Sequence, residues 1–202
     1  MPSFRAWAEV WTAHGCTLDP VEWATCIGTR GGFDPYATLV QRSSVAVAPE
    51  DEVREAKRVR ETALLEHSVA LPGVIDWVDE ATALGLAVGI ASSSSSAWLE
   101  HHLGRLGLRH RFATVSCCDG QCSPKPAPDL YLAACNGLGV GPEEAVAVED
   151  SPHGIAAAKA AGLRCVAVPG DLTRDLDLGA ADLVLTSLAD LSLADALRHA
   201  PL

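Results

Sequence analysis

From Leu71 onward the sequence alternates between two kinds of segment, and this alternation limits the fold more than any other feature. Short apolar runs stand at 87–91 "AVGIA", 113–116 "ATVS", 145–149 "AVAVE", 164–168 "RCVAV" and 182–185 "DLVL". Stretches with helical periodicity lie between and around them, near 74–84, 96–106, 128–138, 152–161 and 191–199. Strands separated by connections of helical length cannot pair as hairpins. They build right-handed βαβ units, giving a parallel sheet with helices on both faces. The first 68 residues read differently: "FRAWAEVWTAH" carries Phe4, Trp7 and Trp11 at helical spacing, Pro20 opens a short helix, and "PEDEVREAKRVRETALLEH" is a long amphipathic one. No convincing strand occurs there. The expected organisation is therefore an α/β core over 69–202 and a small α-helical domain over 1–68.

Composition narrows the classes of function. With 202 residues, 49% hydrophobic and 20% charged, the chain has material for one sizeable core and a small appendage. The formal charge of −11, from 26 acidic against 15 basic residues, repels phosphate backbones and anionic membrane surfaces, so neither nucleic acid nor membrane is an expected partner. No run of 18 apolar residues is present and "MPSFRAWAEVW" lacks the pattern of a signal peptide, so a cytoplasmic location is expected. The 7 cysteines are odd in number and scattered, which suits reduced thiols better than a disulfide framework. Only "CCDGQC" clusters them. Its three thiols, Cys117, Cys118 and Cys122, fall short of the four ligands of a structural zinc site, and the plainer reading is a strand end and loop.

Ligands of parallel α/β sheets bind at the carboxyl ends of the strands. Three loops there carry polar residues. After 87–91 comes "SSSSS", in which Ser92 and Ser93 close the strand and Ser95 or Ser96 caps the next helix. Hydroxyls and free amides at a helix N-terminus equally make a phosphate site. After 113–116 comes "CCDGQCSPKPAPD", where Pro124 and Pro126 hold the backbone on both sides of Lys125 and aim its ammonium. After 145–149 comes "DSPHG". Glu149 and Asp150 are adjacent carboxylates at a buried strand end, costly unless a cation or donors compensate, and hard oxygen ligands of this kind suit Mg2+. The competing reading is helix capping by Asp150 or Ser151. Together the loops describe phosphoryl-transfer chemistry without a nucleophile, since no Walker-type loop, serine–histidine pair or activated cysteine accompanies them.

"GIASSSS", "KPAPDLYLAA" and "VAVEDSPHGIAAAKAAGL", in that order, resemble the second, third and fourth motifs of the haloacid dehalogenase-like (HAD) hydrolase superfamily. The likeness is to the branch of β-phosphoglucomutase and phosphoglycolate phosphatase, and it extends over essentially the whole chain. It implies a Rossmann-like core with a helical cap, and a Mg2+-dependent phosphatase or phosphomutase that acts on a small phosphorylated metabolite through an aspartyl-phosphate. By the same resemblance Ser92 and the amide of Ser93 bind the transferring phosphoryl group, Lys125 steadies phosphate and nucleophile, and Glu149 with Asp150 holds Mg2+. Pro124 departs from the family's usual glycine before the lysine. His153, in the first turn of a helix, is expected to be exposed rather than catalytic.

The family's opening strand, ending in Asp-x-Asp, has no counterpart in the sequence; Asp34 in "GGFDPY" and Asp119 in "CCDGQC" are single acids in other contexts. That strand lies mid-sheet in the family, so its loss would leave backbone groups unpaired on both neighbours at about 1–3 kcal/mol each. A late start site or a truncation is thus expected rather than a natural loss, and the 202 residues should be nearly inactive as they stand. The alternative is a non-catalytic binding or scaffold protein of the same fold. A dehalogenase proper needs no metal, and the Glu149–Asp150 pair speaks against it. Arg30 in "CIGTRGGFDPY" is a weak candidate for a distal anionic group of the substrate, against an ordinary exposed turn arginine. A monomer or weak homodimer is expected.

Overall fold

A computed structural model describes residues 1–29, 32–119 and 122–199. Two compact units emerge, Met1–Ile27 with Gly31–Val69, and Gly28–Arg30 with Ala70–Leu202. The first unit holds α1 (Pro2–Ala13), α2 (Pro20–Ala24), α3 (Pro35–Arg42) and α4 (Glu50–Leu65). Proline begins α1, α2 and α3, where a missing N–H costs nothing. Asp19 caps α2 by accepting from Val21 N, and Asp34 caps α3 by accepting from the amides of Tyr36 and Ala37. Asp34 is therefore a structural cap. Helix α3, only two turns long, is an element that periodicity did not single out. Trp7, Trp11, Trp23 and Leu39 form the buried centre of this unit, and the Trp11 indole N–H donates to the Pro35 carbonyl at 3.1 Å.

The second unit runs α5 (Val74–Ala83), β1 (Gly89–Ser92), α6 (Ser96–Arg105), β2 (Thr114–Cys117), α7 (Asp129–Leu138), β3 (Val146–Glu149), α8 (Pro152–Ala160), β4 (Arg164–Ala167), β5 (Leu183–Val184) and α9 (Leu193–His199). Every strand pairing is parallel, as βαβ connections require. Helices cover both faces of β3–β5. On one side Ile155, Ala157 and Ala158 of α8 pack with Cys165 and Ala167, small residues that let the helix sit close to the sheet. On the other side Trp77 of α5 and Ala196 of α9 pack around Val166. Leu99, Leu103 and Leu108 pack with Ile90 and Val115 to cover the β1–β2 pair.

Among the described residues the strands form two separate ladders rather than one continuous sheet. β1 pairs with β2, and separately β3 pairs with β4 and β4 with β5. Among the described residues, the edge of β1 away from β2 and the edge of β3 away from β4 take part in no ladder. Ala91 of β1 nevertheless packs against the core cluster of β3 and β4, so the two pieces share a hydrophobic interior. No described helix is long and apolar enough to cross a membrane.

The expectation of reduced thiols throughout needs correction. Cys118 and Cys122 form a disulfide, whereas Cys16, Cys26, Cys117, Cys135 and Cys165 are free. Their two Cα atoms lie 5.4 Å apart, within bridging range. With two of its three thiols joined, "CCDGQC" is a bridged loop rather than a zinc site.

Candidate functional site

β3 ends in Glu149, and the chain then breaks at Asp150 before Ser151 caps α8 by accepting from Gly154 N at 3.2 Å. The capping competition over this segment is thereby resolved in favour of Ser151. Ser151 is fully buried. Gly154 has a separate reason to lack a side chain. A Cβ there would lie 1.8 Å from Glu149 Oε2, so the first turn of α8 passes directly over the carboxylate. Gly28, at φ +83°, makes a similar approach: a Cβ on it would come within 2.2 Å of Ser151 Oγ.

Glu149 is 8% exposed and Lys125 is 7% exposed, and the two form a buried ion pair. Tyr131, in the first turn of α7, completes the cluster. Its hydroxyl donates to Glu149 Oε1, the same oxygen that Lys125 Nζ reaches. Lys125 Nζ lies 3.4 Å from the Tyr131 oxygen and 4.8 Å from the ring centroid, so cation–π attraction adds to the pairing. Burial, then the charge of Glu149, drives the Tyr131 phenol far above its usual value, so it remains a hydrogen-bond donor at any physiological pH. Lys125 is held by Pro124 and a cis Pro126 on either side and by two polar partners in front. Its ammonium is directed inward, as the flanking prolines suggested.

Asp150 stands beside this pair. Burial raises its carboxyl above the ordinary value and the charge of Glu149 raises it further, with Lys125, its own backbone amide and Ser151 acting in the opposite direction. The cluster thus holds two carboxylates and one ammonium, and Lys125 is already committed to Glu149. A divalent cation is the charge this arrangement would accept, and two adjacent hard oxygen donors fit Mg2+. Oε1 of Glu149 is occupied by Lys125 and Tyr131, so Asp150 would be the more available ligand for such an ion. Cys165 on β4 feels the same surroundings: burial, then Glu149, pushes its thiol up to about 12, which keeps it inert.

The serine loop meets this rim through the β2 end. Ser92 ends β1 in register with Cys117, and its Oγ accepts from Ser94 N at 3.1 Å. Ser95 caps α6, accepting from Trp98 N, so the capping role falls to a serine three residues past the strand end. Asp119 Oδ1 accepts from Ser96 N at 3.0 Å and ties the loop after β2 to the start of α6. Ser93 lies in the bend between them. The carboxyl ends of β1 and β2 therefore coincide, and Lys125, from the loop after β2, reaches the carboxyl end of β3. Lys125, Glu149 and Asp150 are brought together directly, whereas Ser92 and Ser93 stand at the carboxyl end of the β1–β2 pair. Arg30 lies outside the described residues. His153 is half-buried in the first turn of α8.

Two contributors were not legible as site residues. Tyr131 reads as part of the apolar face of "DLYLAAC", and its only signal is that a buried phenol needs a partner. Gly154 reads as part of a small-residue helix, though a glycine in a first turn is itself a sign of close approach.

Residues 18–168 match the family described as haloacid dehalogenase-like hydrolase. YhcW of Bacillus subtilis (strain 168) is 38% identical over 191 residues, covering 95% of this chain and 86% of YhcW. A crystal structure of an Asp-to-Asn mutant of CbbY from Rhodobacter sphaeroides, in complex with xylulose-(1,5)bisphosphate, superposes with a TM-score of 0.78 at 33% identity, covering 100% of this chain and 92% of that one. The β-phosphoglucomutase of Clostridium difficile shares the fold with a TM-score of 0.75 at 22% identity, over 98% of this chain and 89% of that one.

Proposed function

Because the chain belongs to the haloacid dehalogenase-like hydrolase family, we propose that its phosphoric monoester hydrolase or mutase chemistry is Mg2+-dependent and acts on a small phosphorylated metabolite at the rim formed by Ser92, Lys125, Glu149 and Asp150. The observation that carries this reading is the buried Lys125–Glu149–Tyr131 cluster with Asp150 beside it, at the carboxyl ends of parallel strands. The CbbY structure holds a sugar bisphosphate, which supports a phosphorylated sugar or similar small metabolite as substrate.

Each residue has a task. Ser92 Oγ and the Ser93 amide bind the transferring phosphoryl group. Lys125 contributes a positive charge whose position is fixed by Glu149 and by the Tyr131 hydroxyl, so no reorganisation is needed when charge builds on the phosphoryl oxygens. Asp150, with Glu149 next to it, is where Mg2+ would be held; when bound, the ion supplies Lewis-acid charge to the phosphoryl group. The attacking carboxylate belongs to an Asp-x-Asp strand, which would take up the ladder-free edge of β1 or of β3. That carboxylate attacks phosphorus, the bond to the substrate oxygen breaks, the leaving alcohol takes a proton from the second Asp, and water later frees phosphate from the acyl phosphate. Residues 1–68 act as the cap domain and 69–202 as the core, and the protein works as a cytoplasmic monomer or weak homodimer.

Hydrolysis of an aryl phosphate tests this reading. Without an Asp-x-Asp strand the 202 residues are expected to turn over negligibly; with one supplied in frame upstream they should hydrolyse the ester, and EDTA or Asp150→Asn should abolish the activity. Full turnover by the 202 residues alone, or EDTA-resistant turnover, would overturn it. A folded, fully extended chain without turnover would favour the non-catalytic binding protein.

A further inference from the structure

The disulfide at the end of β2 has no part in the chemistry above, yet it sits between the elements that carry it. Cys117 ends β2 as a free thiol, and burial, with help from Asp119, raises its pKa. Cys118 and Cys122 are bridged at a sequence separation of 4. A ring so short removes little freedom from the unfolded chain, so its effect on global stability is near the bottom of the range for disulfides. Its effect is local. Inside the ring, Asp119 holds Ser96 N at the start of α6. Just beyond it, Ser123 N donates to Asp129 Oδ2 at the start of α7, at 3.0 Å. Two residues later comes Lys125. The bridge thus ties together β2, the entry to the serine-capped helix and the turn that carries the buried lysine. The two sulfurs differ in access: Cys118 is 2% exposed, whereas Cys122 is partly exposed and followed by exposed Ser123 and Pro124.

We propose that Cys118 and Cys122 form a reversible thiol–disulfide site that fastens Asp119 beside the start of α6 and holds the turn from Ser123 to Lys125, and that a dithiol reductant opens it. A thiolate of the reductant attacks Cys122 Sγ, the S–S bond breaks, and Cys118 leaves as a thiolate that takes up a proton. The reductant's second thiol then attacks the mixed disulfide and releases Cys122 as a thiol. Two electrons and two protons have passed to the protein, and the reductant is left as its own disulfide. A disulfide oxidant reverses the sequence. In the open form Asp119 loses the ring that orients it toward Ser96, and the segment leading to Lys125 is anchored only at Ser123 and beyond.

The test uses the 202-residue protein equilibrated across a series of reduced-to-oxidised dithiothreitol ratios, trapped with iodoacetamide and peptide-mapped. Alkylation of Cys118 and Cys122 is expected to rise together in one two-electron transition, while Cys117 is alkylated to the same extent throughout. Amide hydrogen exchange of Ser96 should accelerate about fivefold or more on reduction, and equally in Cys118→Ser/Cys122→Ser, while amides of β4 keep their rates. Unlinked thiols under oxidising conditions, a Cys117–Cys122 linkage, or a Ser96 amide indifferent to reduction would each overturn the proposal. Should the double variant fail to fold, the reduction series on the unaltered protein decides. None of these readouts depends on phosphate turnover, so failure of the proposed catalytic activity would be seen separately.

Discussion

Lys125–Glu149 and Arg60–Glu9 are pairs of the same kind in opposite surroundings. Arg60 on α4 forks onto Glu9 of α1 at 2.7 and 2.9 Å, with about half of each side chain in water (48% and 51%). The hydrogen bond from Arg60 lowers the Glu9 carboxyl, but either partner, left alone, would be solvated at once. Lys125 and Glu149 are each 8% accessible at the side chain and have only protein to solvate them. The first pair closes a seam between helices of one unit. In the second, each member is the condition for burying the other, so the pair fixes a charge in one position. Position, rather than residue type, decides which ion pair can serve a reaction.

The sharpest way to break the comparison is to remove one partner from each pair. Lys125→Met leaves Glu149 buried without its cation, and urea denaturation should show a loss of about 3–5 kcal/mol. Adding Glu149→Leu to it should recover most of that loss, because two apolar groups replace the pair. A Lys125→Met protein as stable as the parent would show that water already reaches Glu149. Tyr131→Phe removes a hydrogen bond to a charged group and should cost about 1.5–3 kcal/mol by the same measurement. Gly154→Ala places a Cβ against Glu149 Oε2, and the displacement of carboxylate or helix should cost about 1–3 kcal/mol. If Gly154→Ala were neutral, the close passage of α8 over Glu149 would be wrong.

Asp150 supplies a smaller effect with a definite sign. Its folded pKa is raised by burial and by Glu149. Its contribution is therefore fully favourable below the unfolded value, and is lost as pH rises through the raised folded value. Asp150→Asn is expected to melt higher than the parent at pH 7, with the gap closing as pH falls through that range. Added Mg2+ should narrow the gap at pH 7 by stabilising only the parent. A variant that melts lower at pH 7 would show that the charge of Asp150 is already compensated. At the small end, Arg60→Met should leave the melting midpoint within error at moderate salt, since the Glu9 it abandons is solvated.

Much of this could be read from the residues in order. The five apolar runs became the five strands, with ends that differ by at most two residues, and the parallel pairing followed from the helices between them. The polar loops after β1, β2 and β3 were legible because a strand end, its turn and the next helix cap lie within a dozen residues. Helix α3 escaped because two turns carry too little periodicity, although Asp34 and Pro35 mark its start. The role of Tyr131 escaped for another reason: its partner Glu149 lies 18 residues away on a different element, and an apolar helix face gives no direction toward it.

The sequence by itself determined the five strands and most of the helices, that the strands run parallel, and that Glu149 and Asp150 stand at one strand end while Lys125 lies in the loop after another. All of these depend on periodicity, turn chemistry and nearest neighbours along the chain. Only the tertiary structure decided that Glu149 takes Lys125 and Tyr131 together on one oxygen, that Gly154 must yield room to it, that Cys118 closes onto Cys122, and that the sheet stands in two pieces. Those outcomes depend on where elements far apart in sequence come to lie. Burial, which turns an ordinary salt bridge into a fixed charge, is likewise a property of the packed whole rather than of any one segment.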